Sequence, residues 1–295
     1  MAGRTLAPAK VNLFLHVGPP GADGYHPLAS LVAFADVGDH ISVAPSDRLS
    51  LAVTGPFGAA LAGEGDNLVL RALRALGAAT GRGDPALAVT LDKRLPIAAG
   101  LGGGSSDAGA ALRLARDRLA PDLDDERLAR MAAAVGADGP MCLFARPAWA
   151  EGRGDRLTPE PALPPLSAVL VNPGVPSPTG AVYRALDDGP PRAADRPLRP
   201  ADWTGPAVVD WLAGLRNDLE APAVALQPVI GEALAAVRTA PGVDLARMSG
   251  SGATVFGLCA SPEAASAAAR ALSRRHPGWW VHAALLGDPL AHGKA

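Results

Sequence analysis

Cysteine, aromatic residues and surplus charge are all scarce in this chain. Its two cysteines, Cys142 and Cys259, stand in the apolar runs Met-Cys-Leu-Phe and Gly-Leu-Cys-Ala. They read as buried thiols in a reducing compartment and are too few to build a metal site. Lys and Arg number 27 against 29 Asp and Glu, a net charge of −2. That balance leaves no electrostatic footprint for nucleic acid or for an anionic membrane. No apolar run approaches the roughly 20 residues that span a bilayer. The stretch Leu13 to Val17 is too short for a signal-peptide core. His16, His40, His276, His282 and His292 show no metal-ligand spacing. A soluble cytoplasmic protein is expected, with no nucleic-acid or membrane partner.

What is abundant is apolar residues, 48% of 295, enough to fill one large domain or two of ordinary size. Residues 11–17 alternate with period 2, which predicts a strand with Lys10 and Asn12 on one face. Further strands are expected near 29–36, 40–44, 49–54, 86–91, 140–145, 148–151 and 167–172. Asn67 or Asp66 can cap a helix through Leu76 that ends at Gly77. Helices are expected from the glycine run to Leu119, at 124–135, 207–215 and 222–239. The chain should end as strand, Gly-Ser-Gly turn, strand, helix 262–275 and strand 279–286. Residues 187–206, rich in Pro, Asp and Arg, read as a surface loop. Thr158 to Pro165 reads as a linker, giving domains 1–160 and 161–295. The pattern is α+β.

The most informative stretch is Pro96, Ile97, Ala98, Ala99, Gly100, Leu101, Gly102, Gly103, Gly104, Ser105 and Ser106. It follows a strand and runs into a helix. Glycines let backbone approach an anion closely, and the N–H groups and dipole of a helix start favour phosphate. Ser105 and Ser106 can cap that helix or donate hydroxyls to phosphate or its Mg2+. Rival motifs fail by inspection. No Gly-Lys-Ser/Thr follows, so this is no Walker A loop. Ser105 stands where a dinucleotide fingerprint needs glycine, and Asp107 where a nucleophile elbow needs one.

Three segments together resemble the GHMP kinase superfamily: Pro8-Ala-Lys-Val-Asn-Leu, the glycine-rich stretch, and Met248-Ser-Gly-Ser-Gly-Ala-Thr-Val-Phe. Further segments resemble one branch, the 4-diphosphocytidyl-2-C-methyl-D-erythritol kinase family. These are Ala22-Asp-Gly-Tyr-His, Asp66-Asn-Leu, Asp92-Lys-Arg-Leu-Pro, Gly136-Ala-Asp-Gly-Pro, Asn172-Pro-Gly-Val with Pro178-Thr179, and Asn217-Asp218. Two positions depart from that pattern: Ala98 stands where glycine is usual, and Gly139 where a bulkier apolar residue is usual.

The resemblance implies a two-domain fold, with an N-terminal domain like ribosomal protein S5 domain 2 and a ferredoxin-like C-terminal domain. It implies ATP with Mg2+ as phosphoryl donor and a CDP-linked alcohol as acceptor, phosphorylated at the 2-hydroxyl of its methylerythritol part in non-mevalonate isoprenoid biosynthesis. It gives Asp138 the role of base and Lys10 that of cationic partner. Asn12 would bond the substrate, Tyr25 and His26 would hold cytosine, Tyr183 would cover its other face, and Thr179 matches the pattern nearby. Asn67 and Lys93 align near adenine and ribose. Bland readings stand beside these: a turn or capping aspartate for Asp138, solvated strand lysines for Lys10 and Lys93, a helix cap for Asn67, plain packing for Tyr183. Another kinase of the superfamily or a silent ligand-binding relative are the alternatives. Tyr25-His26 argues against the first, and retention of Lys10 and Asp138 against the second.

Overall fold

The computed structural model describes residues 3–61, 67–81 and 83–291; Asp66 and His292 lie outside them. The chain forms two compact units, each assembled from several stretches of sequence. The first comprises Met1–Ala9, Gly38–Ile97 and Gly102–Ala145, and the second Lys10–Val37, Ala98–Leu101 and Arg146–Ala295. Two long strands, β1 (Gly3–Val17) and β2 (Leu28–Pro45), each pass from one unit into the other.

In the first unit the end of β2 pairs antiparallel with β4 (Leu87–Asp92), from His40 opposite Asp92 to Pro45 opposite Leu87. Strand β3 (Ser50–Thr54) joins β4 in parallel. Four helices share a core with these strands: α1 (Leu68–Ala79), α2 (Gly103–Leu119), α3 (Asp125–Val135) and α4 (Gly139–Phe144). Helix α1 buries Val69, Ala72, Leu73 and Leu76, the spacing of one helical face. Its start is capped by Asn67, whose Oδ1 accepts the Val69 N–H at 2.9 Å. Residues 140–145, expected as a strand, are helix α4. The apolar run Met-Cys-Leu-Phe is too short for its period to decide, and Pro140 in the first turn suits a helix start. A Cβ on Gly139 would overlap the carbonyl oxygen of Ala132, so the small residue there lets α4 meet the backbone of α3.

In the second unit β10 (Trp280–Gly287), β7 (Leu166–Asn172), β9 (Val255–Cys259) and β8 (Val243–Met248) pair antiparallel in that order. With α8 (Pro228–Arg238) between β7 and β8, and α9 (Pro262–Arg275) between β9 and β10, this is the ferredoxin-like arrangement. Three shorter helices, α5 (Thr179–Asp187), α6 (Gly205–Ala213) and α7 (Glu220–Leu226), lie in the connection from β7 to α8. The helix expected at 222–239 is broken into α7 and α8 at Gln227, just before Pro228. The start of β2 pairs with β5 (Ala148–Gly152), which pairs with β6 (Arg156–Pro159). The stretch read as a linker thus supplies part of a strand. Next to it, buried Glu160 accepts from Trp149 Nε1 at 2.8 Å and from Arg199 at 2.6 Å.

The segment 188–204 carries no regular structure but is stitched down along its length. Arg192 pairs with buried Asp218, Arg196 with Glu151 and Arg199 with Glu160, while His16 Nδ1 donates to the Asp195 carbonyl at 2.8 Å. Both cysteines are buried thiols, as expected. Among the described residues no helix is long and apolar enough to cross a membrane.

Candidate active site

The glycine-rich stretch has left-handed backbone at Ala98 (φ 51°), Gly100 (φ 73°) and Gly102 (φ 62°). Turns of this handedness build the N–H concavities that hold anions. Ala98 accepts this conformation at a cost of about 1–2 kcal/mol, which accounts for glycine being usual there. In the second unit four successive carbonyls of this stretch are taken by protein donors. Ser177 N–H reaches Ala98 O at 3.4 Å, Thr254 N–H reaches Ala99 O at 3.1 Å, Ser249 Oγ reaches Gly100 O at 2.9 Å, and Lys10 N–H reaches Leu101 O at 2.8 Å. A Cβ on Gly100 would overlap Ser249 O and lie 2.8 Å from Gly252 O, so only glycine lets the loop rest on the Gly-Ser-Gly turn.

In the first unit Gly102 is the N-cap of α2, and no side chain caps that helix. Ser105 and Ser106, expected as caps, sit inside the first turns instead. The Ser106 hydroxyl is buried and has no protein partner. An uncapped start on a 17-residue helix, with an orphaned hydroxyl beside it, fits a polyphosphate.

Beneath the helix start lies a buried triad. Lys93 Nζ is 2.5 Å from Asp39 Oδ2 and 2.9 Å from Asp107 Oδ2, and none of the three residues is more than 3% exposed. A Cβ on Gly103 would lie 3.0 Å from that ammonium, so the first residue of α2 rests over it. Lys93 is therefore not a solvated strand-end lysine. Burial opposes its charge, but Asp107 and Asp39 more than offset this and its pKa lies above the ordinary value. Asp107 is pushed up to about 8, by burial first, against the pull of Lys93 and with the push of Asp39. The two carboxylates are unequally supplied: Asp39 also accepts the Arg94 and Leu95 N–H groups, while Asp107 Oδ1 has no partner. Neither aspartate was singled out as a partner for Lys93, because they lie 54 and 14 residues from it along the chain.

Asp138 precedes α4 and is half-buried, yet its carboxylate makes no capping bond to that helix. Asp138 thus stands in the turn at the N-cap position of α4, as the bland reading has it, but without a side-chain cap.

In the second unit Lys10 is also buried rather than solvated. Asn12 Nδ2 donates to Ser30 Oγ at 2.9 Å, its main-chain N–H reaches Ser249 Oγ at 3.2 Å, and its buried Oδ1 has no protein partner. That oxygen is free to accept from a ligand. His26 donates Nδ1–H to the Gly18 carbonyl at 2.8 Å, and its Nε2 is 3.4 Å from Asp187 Oδ1. Its ring lies 4.9 Å from that of Tyr183 on α5. Tyr25 is 58% exposed, with the Arg153 guanidinium 4.3 Å from its ring centroid. Thr179 Oγ1 is 2.9 Å from Ser251 Oγ, which ties the start of α5 to the Gly-Ser-Gly turn. His26, Tyr183 and Asp187 thus form one cluster, and Asn12, Ser249 and Gly100 another. Asp187 had not matched any pattern in the sequence.

Comparison with known proteins agrees with this geometry. Residues 67–146 match the model for the GHMP kinases N terminal domain and residues 208–278 that for the GHMP kinases C terminal. The 4-diphosphocytidyl-2-C-methyl-D-erythritol kinase of Caulobacter vibrioides strain NA1000 is 56% identical over 278 residues, 93% of this chain and 96% of that protein. The protein of that name from Hyphomonas neptunium is 49% identical over 95% of each chain. A crystal structure of 4-(cytidine 5'-diphospho)-2C-methyl-D-erythritol kinase superposes with a TM-score of 0.77 at 37% identity, covering 97% of this chain and 99% of that one.

Proposed function

Because this chain belongs to the 4-diphosphocytidyl-2-C-methyl-D-erythritol kinase family of GHMP kinases, we propose that it moves the γ-phosphoryl group of ATP to the 2-hydroxyl of 4-diphosphocytidyl-2-C-methyl-D-erythritol, a step in isoprenoid precursor biosynthesis. The carrying observation is the 56% identity over 93% of the chain to a protein of that name.

In this reading the stretch Pro96 to Ser106 holds the nucleotide phosphates, with Asn67 and Lys93 toward adenine and ribose. Burial of the Lys93 ammonium between two aspartates points to an indirect share for it, through the helix start above it. The acceptor oxygen bonds to the γ-phosphorus as the bond to ADP breaks, and the hydroxyl proton passes to Asp138. Lys10 offsets the charge that develops on the transferring group. Transfer is direct, with no phosphoenzyme. Magnesium arrives with the nucleotide. Such an ion would be held by the phosphates and one or two side chains.

Cytosine is read by His26 and stacked by Tyr25 and Tyr183. The Nδ1–H of His26, anchored on the Gly18 carbonyl, fixes the ring, and its Nε2 edge beside Asp187 Oδ1 is the one that would meet the base. Asn12 bonds the acceptor through its orphaned Oδ1, and Thr179 supports the wall on α5. A site whose polar groups match cytosine leaves them unpaired against uracil, where donor and acceptor are exchanged. The test is kcat/KM, by ADP release, for the CDP-linked alcohol, its UDP-linked analogue and free methylerythritol. The CDP compound should be preferred by a wide margin. Equal use of the CDP and UDP compounds, or of the free alcohol, would reject the cytosine reading.

A further inference from the structure

The dipeptide Asn217-Asp218 stands just before α7, and the site described above leaves it without a task. Both side chains are buried, and their bonds lead to different partners within the second unit. The main chain ties the dipeptide to β1: Leu15 N–H donates to Arg216 O at 2.9 Å, and Asp218 N–H to Leu15 O at 2.8 Å.

Asn217 Nδ2 donates to two carbonyls, Met248 O at 2.9 Å and Gly250 O at 2.8 Å, while Oδ1 accepts the Leu219 N–H at 2.9 Å. The two carbonyls bracket Ser249, whose Oγ donates to Gly100 O. A Cβ on Gly250 would lie 3.1 Å from that same oxygen. The turn and the first half of the glycine-rich stretch are thus in backbone contact, and a shift of the turn is passed on to Gly100.

Asp218 faces the other way in bonding. Its Oδ2 accepts the Val17 N–H at 2.8 Å, and its Oδ1 accepts from Arg216 Nε at 2.7 Å and Arg192 Nη1 at 2.8 Å. The carboxylate is fully buried, so these partners are what make its charge tolerable there. Val17 leads into Gly18, whose carbonyl accepts the hydrogen bond from His26 Nδ1–H. Arg192 belongs to the stitched segment, and two residues on, Ala194 Cβ lies 3.4 Å from where a Cβ of Gly18 would be. Asp218 therefore holds both the chain entering Gly18 and the segment packed on Gly18.

We infer that Asn217 and Asp218 are positioning residues for opposite ends of the reaction. Asn217 sets the first half of the glycine-rich stretch for the nucleotide phosphates. Asp218 sets Gly18, and through it His26, for the base of the acceptor. Which ligand each end holds rests on the function proposed above.

The test is a split between two Michaelis constants in the full-length enzyme. Asn217→Asp keeps the size and the Oδ1 bond but turns two donors into an acceptor facing two carbonyls. It should raise KM for ATP about tenfold or more, with KM for the CDP-linked alcohol nearly unchanged, since sub-ångström misplacement of a binding loop costs factors of this order. Asp218→Asn should do the reverse. Arg192→Met, at a half-exposed arginine, should shift the alcohol KM in the same direction by less. If Asn217→Asp does not melt cooperatively, Asn217→Ser replaces it. ADP binding by calorimetry reads the nucleotide end without any turnover. Equal rises in both constants, crossed effects, or lower melting temperatures with both constants unchanged overturn the inference. Failure of the wild type to use the CDP-linked alcohol overturns the proposed function instead, and unchanged ADP affinity in the Asn217 variant then still decides against its role.

Discussion

Asp107→Asn is the sharpest probe of the buried triad. The unfolded carboxyl titrates near 3.8 and the folded one near 8. Between these values the folded chain keeps a proton that the unfolded chain has lost. Stability therefore falls as pH rises across that window, by about 1.4 kcal/mol per pH unit, and levels off above the folded value. From pH 6 to pH 8 this one group should remove roughly 2 kcal/mol, or a melting temperature drop of roughly 5 °C for a chain of this size. The direction follows from the contacts. Two carboxylates share one ammonium away from water, so one of them is better kept neutral, and Asp107 has the fewer donors. Asparagine is neutral at every pH and nearly the same shape, so the variant should lack this slope. Thermal unfolding of both proteins by circular dichroism at four values from pH 5.5 to 8.5 is sufficient, because the other titrating groups cancel in the difference. A difference that stays constant from pH 6 to 8 would refute the protonated Asp107. A constant difference is what an ionised, paired carboxylate gives, because both states are then charged throughout that range.

Asp138→Asn should lower kcat by about 10²-fold or more, the usual range for a lost general base, with KM for ATP little changed; near-normal turnover removes Asp138 from the chemistry. Lys10→Met should also cripple kcat while a cooperative melt is retained, and loss of that melt would make Lys10 structural. The loop's handedness can be tested in both directions. Gly100→Ala must push against Ser249 O and Gly252 O at φ 73° and should weaken ATP binding, whereas Ala98→Gly relieves left-handed strain and should stabilise by about 1 kcal/mol. Equal ATP affinity in Gly100→Ala and wild type would show that the loop does not need that close approach.

The parts of the fold that were legible share a local cause. The C-terminal strand, turn, strand, helix and strand could be placed almost to the residue because Ser261 caps α9 through the Ala264 N–H and glycines punctuate the turn. Helix α3 was legible for the same reason, with Asp124 as its cap. The errors occur where local signals are silent. The short apolar run in α4 has no period of its own. The boundary between 29–36 and 40–44 vanished because β2 runs on through Gly38, where a Cβ would overlap Ala7 O. Proline-rich residues 158–165 resembled a linker, yet Glu160 is held by a tryptophan and an arginine distant in sequence.

The candidate site divides along the same line. Its glycines and serines could be read because their spacing carries a local mechanism, the approach of backbone to an anion. The side chains that hold them could not, since every one acts across a long gap: Lys93 on Asp39, Ser249 on Gly100, Asn217 on Gly250, Asp218 on Val17. A lysine expected near adenine and ribose, with a solvated strand-end lysine as the bland alternative, and an Asn-Asp dipeptide with no assigned task are both buried among protein partners. Of the six buried side-chain atoms without partners among the described residues, three belong to His16, His40 and His276 and three lie in the candidate site. Among the described residues, Ser106 Oγ and Asp107 Oδ1 are buried without partners in the first turns of α2, and Asn12 Oδ1 beside Ser249. Buried polar groups are costly when unpaired. The unmatched atoms at the start of α2 and on Asn12 are therefore ones that a polar ligand could satisfy. The surrounding buried network, already saturated by protein partners, is what keeps those few atoms aimed.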